Sequence, residues 1–567
     1  NDLLSRLVRR FAGSTPAPDA TPARIAVAVP RVRRSFGFAT RLRQTLAIAW
    51  SSFRMIATSI PGLFLLVAFP AMLVLMMQVE LQQWGVPLLP RTVEIVSRHL
   101  TAPITDPLNF WVMVPLLVIF FAGELVWRER DAGLGEITDT MPGSEWPPFL
   151  GKFLGLGLVL ALFMALLMTA GIVAQSIMGH RDFQVGLYLK TLFGLQLPEY
   201  LLFAVLALAV HVLVDQKYVG HSVAIVASVF IGLASLFGIE HNLLVYGAGP
   251  GWSYTEMSGF GASLGAWAWF RAYWAAWALL LAVVARLLWV RGRERRLAVR
   301  LRLARRRFTR ATAWTAAAAV GLILALGGYI FYNTNVRNEY LTAAEVAERR
   351  AEYERRYGRY ARAAQPSIAA TNLRVEIFPE RREVDIRGSY RLVNRSASAI
   401  DSIHVATVRG AIAFDRTARL VVGDDERGHR IYALARPLQP GDALRLDFHV
   451  RVEPRGFREN GVDASVVANG TFFDIREWLP AIGYQRGREL TSARDRRAHG
   501  LPPRPPIASL YDVEARKDRS EPIAFEAIVG TDGDQTAVAP GVLRRTWKEN
   551  GRRYFHYAGD SLVGSEH

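Results

Sequence analysis

The stretch RGRERRLAVRLRLARRRFTR, residues 291–310, runs without a break into ATAWTAAAAVGLILALGGYIFY, residues 311–332. Its first half carries Arg291, Arg293, Arg295, Arg296, Arg300, Arg302, Arg305, Arg306, Arg307 and Arg310, opposed by Glu294 alone. Its second half is uncharged and, as a helix, long enough to cross a bilayer core of about 30 Å. An arginine at the centre of that core costs roughly 2.5–3.5 kcal/mol. The basic run is therefore expected to stay on the cytoplasmic side, with everything after Tyr332 outside. Before this stretch the sequence alternates long apolar runs with polar loops; after it the pattern is that of a soluble, β-rich protein.

Working back from it, six more spans are expected at 60–79, 109–126, 153–178, 200–214, 219–239 and 272–290. The fourth is short, with a start near Leu192 as the alternative. Glu124 sits at the inner end of the second, and Arg271 and Arg286 lie near enough to the ends of the sixth to snorkel. A single apolar run of this kind reads equally well as a buried core helix. Seven, each bounded by polar loops, do not. Alternate loops hold Arg128, Arg130 and Lys152, then Lys217, then the basic run; the loops between hold Arg91 and Arg98, then Arg181 and Lys190, then no Lys or Arg over 240–270. The richer set is expected to be cytoplasmic, together with the Arg-bearing segment 1–58, which includes an interfacial helix at 38–51. That segment lacks the short apolar core and cleavage site of a signal peptide. The Gly-, Trp- and Tyr-rich loop 240–270 reads as an interfacial aromatic belt with turns, or as a partly re-entrant loop over an exit path.

Beyond the seventh span, residues 341–364 form a charged helix with an apolar stripe at Val346, Tyr353, Tyr357 and Tyr360, ending before Pro366, as a stalk would. From Ile368 the period becomes two. Leu373, Val375 and Ile377 alternate with Arg374 and Glu376, and further strands are expected around 384–393, 400–405, 444–450, 525–529 and 553–557, with turn signals at Gly423-Asp424-Asp425, Pro440-Gly441-Asp442 and Asp532-Gly533-Asp534. Residues 494–506 read as a long loop. The expected organisation is multi-domain: a basic segment 1–58, a six-span α-helical bundle 59–290, an Arg-rich loop 291–310, a seventh span 311–333, a helical stalk 334–366, and an all-β antiparallel sandwich or saddle 367–567.

A chain of 567 residues is too long for one domain. Its formal net charge of +18 clusters beside apolar spans, which favours retention of cytoplasmic loops over nucleic-acid binding. There is no cysteine, which removes disulfides, thiol catalysis and Cys-ligated metals. No His is followed by Glu, so the H-E-x-x-H pair of zinc peptidases is absent; Gly143, Gly151 and Lys152 have the wrong spacing for an ATP-cradling loop, and Phe153 stands where Ser or Thr is needed. His211 and His221, at the inner ends of the fourth and fifth spans, read as interfacial residues or as a proton relay. No catalytic or metal-binding residue can be named in this chain, and whether it is part of an enzyme stays open.

The loop after the second span is a short amphipathic element, WRERDAGLGEI at 127–137, broken at Met141-Pro142 and followed by Gly151-Lys152 at the next span. In order and position it resembles the coupling element of type-2 ABC exporter permeases. The resemblance implies that Glu129, Arg130, Asp131, Gly133 and Glu136 dock on a separate ATP-binding subunit. The C-terminal part is similar to the N-terminal β-domain of membrane-alanyl-aminopeptidase-type zinc peptidases. The whole chain from about residue 45 resembles bacterial fusions of a permease with such a peptidase. The residues that carry this are Tyr332-Asn333-Thr334-Asn335, Tyr390-Arg391-Leu392-Val393-Asn394, Trp478-Leu479-Pro480-Ala481-Ile482-Gly483-Tyr484 and the run 534–541. Soluble members usually place an Arg and a Pro-Cys-Asp-like run where this chain has 479–484. The resemblance implies a multi-pass inner-membrane exporter subunit with its β-domain outside. Its partners would be the bilayer, an ATP-binding subunit, a peptide substrate and, as a dimer, a second copy. The chain starts with Asn and ends at Glu566-His567. A longer chain is expected to continue into a zinc-binding H-E-x-x-H domain and to act as an aminopeptidase; no cofactor is expected in the present residues. The alternative is a membrane-anchored scaffold whose β-domain binds a peptide or partner.

Overall fold

The computed structural model describes residues 37–82, 89–106, 110–140, 146–214, 216–256, 258–289, 297–407, 410–468, 470–472, 475–505, 509, 511–512, 522–559 and 563–564. The expectations for 1–36, Met141-Pro142, Gly143, residues 291–296, Pro506 and Glu566-His567 fall outside the described residues.

Among the described residues, seven helices are long and apolar enough to cross a membrane: Ile60–Val79, Phe110–Asp131, Trp146–Ile177, Val185–Leu213, Lys217–Phe237, Ser263–Leu287 and Arg310–Arg337. They are the first to seventh spans below. A C-terminal region of mostly antiparallel sheets follows, with no closed barrel among the described residues. The first span is opened by Ser59, whose Oγ accepts from Gly62 N at 3.1 Å, with a proline in the first helical positions. The fourth span begins at Val185, well before either expected start. Its polar residues hid that length: Thr191 and Gln196 are buried, and Gln196 Nε2 donates to Ala102 O at 3.1 Å. The spans share a core in which Phe69, Phe121, Phe163, Tyr188 and Tyr200 are almost fully buried. The helix Phe38–Ala57 runs past the expected end at 51. It lays Thr45, Ala49, Ser52 and Ile56 against the third span. A Cβ at Gly155 would stand 2.5 Å from Ser52 Cβ and 2.7 Å from Ala49 O, so glycine is what lets the two helices meet. Arg271 does not snorkel. Its Nη2 lies 3.3 Å from Glu199 Oε2 on the fourth span, and its Nη1 donates to Gly247 O at 2.5 Å. With Glu199 and Gly247 as partners, the buried guanidinium is not left uncompensated.

The charged helix after the seventh span, Ala343–Tyr357, opens with a capping box in which Thr342 and Glu345 exchange hydrogen bonds. Tyr353 and Tyr357 are buried, while Val346 is partly exposed. It is fastened by a bidentate pair from Arg496 to Glu354 at 2.7 and 2.6 Å, by Arg427 to Glu352, and by the Tyr357 hydroxyl donating to Asp424 at 2.8 Å. Arg496 belongs to a short helix, Ala493–Ala498, inside the stretch expected to be loop.

The large sheet runs β12 (Val542–Glu549), β13 (Arg552–Ala558), β11 (Pro522–Asp532), β1 (Ser367–Phe378), β2 (Glu383–Val393), β7 (Ala443–Val452), β4 (Ala411–Phe414). The small sheet runs β10 (Ala481–Ile482), β3 (Ile400–Ala406), β6 (His429–Leu438), β5 (Ala418–Asp424), and β8 (Val466–Val467) pairs with β9 (Gly470–Thr471). Neighbouring strands pair antiparallel except β1 and β11, which are parallel. β11 reaches β1 only after a connection of dozens of residues, and such a crossover is what a parallel pair needs. Inward residues of period two, among them Val375, Ile386, Val450 and Val529, join Ile403 and Val405 of the small sheet in one core. At the expected turn 440–442, Gly441 has φ +83°, which a side chain would resist.

The two regions meet at a clasp. Glu459 accepts from the backbone N of Asn242, and Asn242 Nδ2 donates to Glu459 O at 2.9 Å. His241 lies 3.3 Å from Glu459 and 3.0 Å from Asn335 Oδ1. Asn338 Nδ2 donates to Arg455 O at 2.8 Å and to Phe457 O at 3.2 Å. Phe457 packs with Phe270, Tyr273, Trp274 and Ile330 of the sixth and seventh spans. Thus part of the 240–270 loop is a docking face for the β-rich region. Trp274 Nε1 holds that loop by donating to Ala248 O at 2.7 Å.

Candidate coupling surface

The second span ends in a Schellman turn. Leu134 N donates to Glu129 O at 2.8 Å and Gly133 N to Arg130 O at 3.0 Å, with Gly133 at φ +72°. Glycine is required there because the left-handed turn reverses the chain. A short helix, Gly135–Thr140, follows at once. Thr138 Oγ1 donates to Gly135 O at 2.9 Å, which tightens this turn.

Two of the carboxylates named from the sequence, Glu129 and Asp131, are engaged within the chain. Glu129 Oε2 accepts from Lys152 Nζ at 2.7 Å, with the lysine side chain 5% exposed and the carboxylate 37%. Asp131 Oδ2 and Glu124 Oε1 both accept from Lys217, at 2.8 and 2.7 Å. Arg130 lies over the Trp127 ring at 5.1 Å, and Arg128 donates to Ser51 Oγ at 3.1 Å. Lys152 also sits 5.4 Å from the Trp289 ring centre. These contacts tie the end of the second span to the N-terminal helix and to the third, fifth and sixth spans. Glu136 lies on the short helix; its side chain falls outside the described residues. Two apolar side chains of the same turn are exposed. Leu134 is 50% exposed and Ile137 59%. In the sequence the signal for this pair is two apolar residues three apart beside a glycine.

The same end of the bundle holds the two intramembrane histidines, which the structure brings together. Their ring centroids are 4.6 Å apart. His211 contacts Ile119 O at 3.2 Å and His221 contacts Lys217 O at 2.8 Å. The other nitrogen of each ring, His211 Nδ1 and His221 Nε2, is buried without a hydrogen-bond partner among the described residues. Gly123 and Gly220 make the room: a Cβ on either would stand 2.5 to 2.6 Å from an imidazole atom.

The motifs that suggested a peptidase-like domain fall on structural positions. Asn333 and Thr334 are buried at the clasp, Asn394 Nδ2 donates to Ser398 O and Leu438 O at 2.8 Å each, and Trp478 and Leu479 are in the β-core. Tyr484 stacks on Tyr353 at 5.1 Å. His404 Nδ1 and His429 Nε2 lie 3.2 Å apart, and burial lowers the affinity of both imidazoles for a proton. No group of three or more His, Asp or Glu suited to a metal occurs among the described residues, so this pair does not fit a zinc site.

No curated protein matches the chain. Among solved structures, it is similar to an M1 zinc metallopeptidase from Deinococcus radiodurans, at 14% identity over 36% of this chain and 41% of that one, with a TM-score of 0.24. A form of that enzyme bound to a Tyr-Ser-Ala substrate gives 15% identity over 35% and 40%, with a TM-score of 0.23. The chain thus spans about two fifths of the length of these structures. Residues 54–235, from the N-terminal helix through the fifth span, match the family model described as ABC-2 family transporter protein, and the chain is accordingly a multi-pass membrane protein with a permease-like segment.

Proposed function

We propose that this chain is the membrane subunit of an ABC-type exporter, and that the turn at Leu134 and Ile137 docks a separate ATP-binding subunit. The observation that carries the reading is the pinned turn itself. Two exposed apolar side chains project from a turn whose Glu129 and Asp131 are already bonded to Lys152 and Lys217. A push on that turn passes directly to the second, third and fifth spans, which is what coupling to nucleotide closure requires. Glu129 and Asp131 are then transmission residues rather than docking residues. In this reading the end bearing Arg128, Lys152 and Lys217 is cytoplasmic and the β-rich region is outside. The domain division expected from the sequence serves as its framework.

The test is site-specific photo-crosslinking in membranes. A photoreactive residue at Ile137 should capture an ATP-binding subunit encoded beside this chain, and one at Val346 should not. Capture at neither position, with the subunit present, would remove the coupling role.

The finer part of the proposal concerns a longer chain, in which the β-rich region would form one wall of a zinc aminopeptidase cleft. It is supported by the similarity of the segments at 332–335, 390–394, 478–484 and 534–541. A continuation past His567 without an H-E-x-x-H pair would make this region a binding module instead.

A further inference from the structure

The helix Leu297–Arg307 between the sixth and seventh spans presents three distinct faces. At about 100° per residue, Arg300 and Arg307 fall together on one face. They are bonded to the bundle. Arg300 donates to Leu213 O at 2.9 Å, Val212 O at 2.8 Å and Leu288 O at 2.7 Å, and Arg307 to Trp289 O at 2.6 Å. These carbonyls belong to the ends of the fourth and sixth spans, where unsatisfied acceptors and the helix dipole favour a cation. The helix is therefore fixed in place rather than trailing as a solvated loop. On the next face, Leu301 and the adjoining Phe308 are 50% and 51% exposed. On the third, Arg302, Arg305 and Arg306 share an arc of about 100° and are all exposed. Among the described residues none of the three joins an ion pair, although ion pairs are abundant elsewhere in the chain.

We infer that this helix binds the phosphate headgroups of anionic phospholipids. An apolar edge beside a row of unpaired guanidiniums fits the boundary between acyl chains and headgroups, and guanidinium matches phosphate in bidentate geometry. The neighbouring surface is lipid-facing. The seventh span begins at Arg310, only 11% of its apolar window is buried within the protein, and Trp314 in its first turns is 77% exposed. An exposed tryptophan there marks the interfacial level. The binding is independent of the coupling role proposed above.

The experiment uses the full chain in detergent, titrated with dioctanoyl-phosphatidylglycerol or dioctanoyl-phosphatidylcholine and read by native mass spectrometry. The wild type should retain phosphatidylglycerol at least about tenfold better than phosphatidylcholine, with the preference falling at high salt. The triple variant Arg302→Gln, Arg305→Gln, Arg306→Gln should lose the preference. The matching triple Lys variant should keep most of it, which separates loss of charge from loss of folding. Inorganic phosphate at millimolar concentration should not displace the lipid. Equal retention of both lipids by the wild type would overturn the inference. So would an unchanged preference in the Gln variant, displacement by inorganic phosphate, or a Gln variant that keeps its lipid preference but no longer co-purifies with an ATP-binding subunit.

Discussion

Lys152 is an ammonium taken out of water, and Glu129 is its counter-ion at 2.7 Å. Removing one member of such a pair strands the other, whereas replacing both by apolar groups is much milder. Glu129→Ala is therefore expected to lower stability by on the order of 1–3 kcal/mol, the value discounted because the carboxylate is partly exposed. Glu129→Leu with Lys152→Met should recover most of it. Melting temperature of the purified chain measures both; a double variant as unstable as the single would refute the pairing. A second prediction concerns His429. Burial, then the neighbouring His404 and Arg488, push its imidazole down to about 4, with Asp424 pulling the other way. The unfolded chain takes up the proton near 6.5, so folding loses stability as pH falls from about 6.5 toward 4 and keeps it fully above that window. His429 contacts Tyr357 of the charged helix, ring to ring, at 4.2 Å. Protease accessibility of that helix should rise between pH 6 and 4.5 in the wild type and much less in His429→Phe. Equal profiles would show that this imidazole does not control the contact.

At the scale of elements, the clasp rests on Phe457 and Glu459. Phe457→Ala should cost about 3–5 kcal/mol of local packing, seen as faster hydrogen exchange over 455–462 with the β-core unchanged. Exchange that stays at the wild-type rate would mean the loop is held without the ring. The clasp was not legible in the sequence, because its hydrogen-bonded partners are 94 to 217 residues apart and each looks like an ordinary loop residue. The spans were legible, since seven apolar runs beside charged loops have one common physical explanation. Their lengths were less so, because buried polar residues such as Gln196 break a run that the helix continues. Strands with an outer polar face, such as β1 and β7, were readable from their period of two. β4, β5, β6 and β12 went unread: β5 and β12 are edge strands exposed along much of their length, and exposure removes the alternation. At the turn after the second span, the chain position and Gly133 could be read, but the bonding of Glu129 and Asp131 to distant lysines could not. Charge alone does not say whether a carboxylate awaits a partner or already has one.

At the scale of the whole molecule, the seventh span and the clasp join a permease-like bundle to a β-rich region. The absence of cysteine makes its topology directly testable. A single cysteine at Ala298 should be shielded in intact cells from a maleimide that does not cross membranes, and one at Leu341 should be labelled. The reverse pattern would invert the orientation.

The central claim is that the exposed pair Leu134 and Ile137 receives the ATP-binding subunit. The most direct measurement is ATP hydrolysis by that subunit, reconstituted in nanodiscs with wild-type chain or with Leu134→Asp and Ile137→Asp. The wild type should stimulate hydrolysis, and the double variant, equally well inserted, should leave it at the rate of the subunit alone. Full stimulation by the double variant would contradict the account.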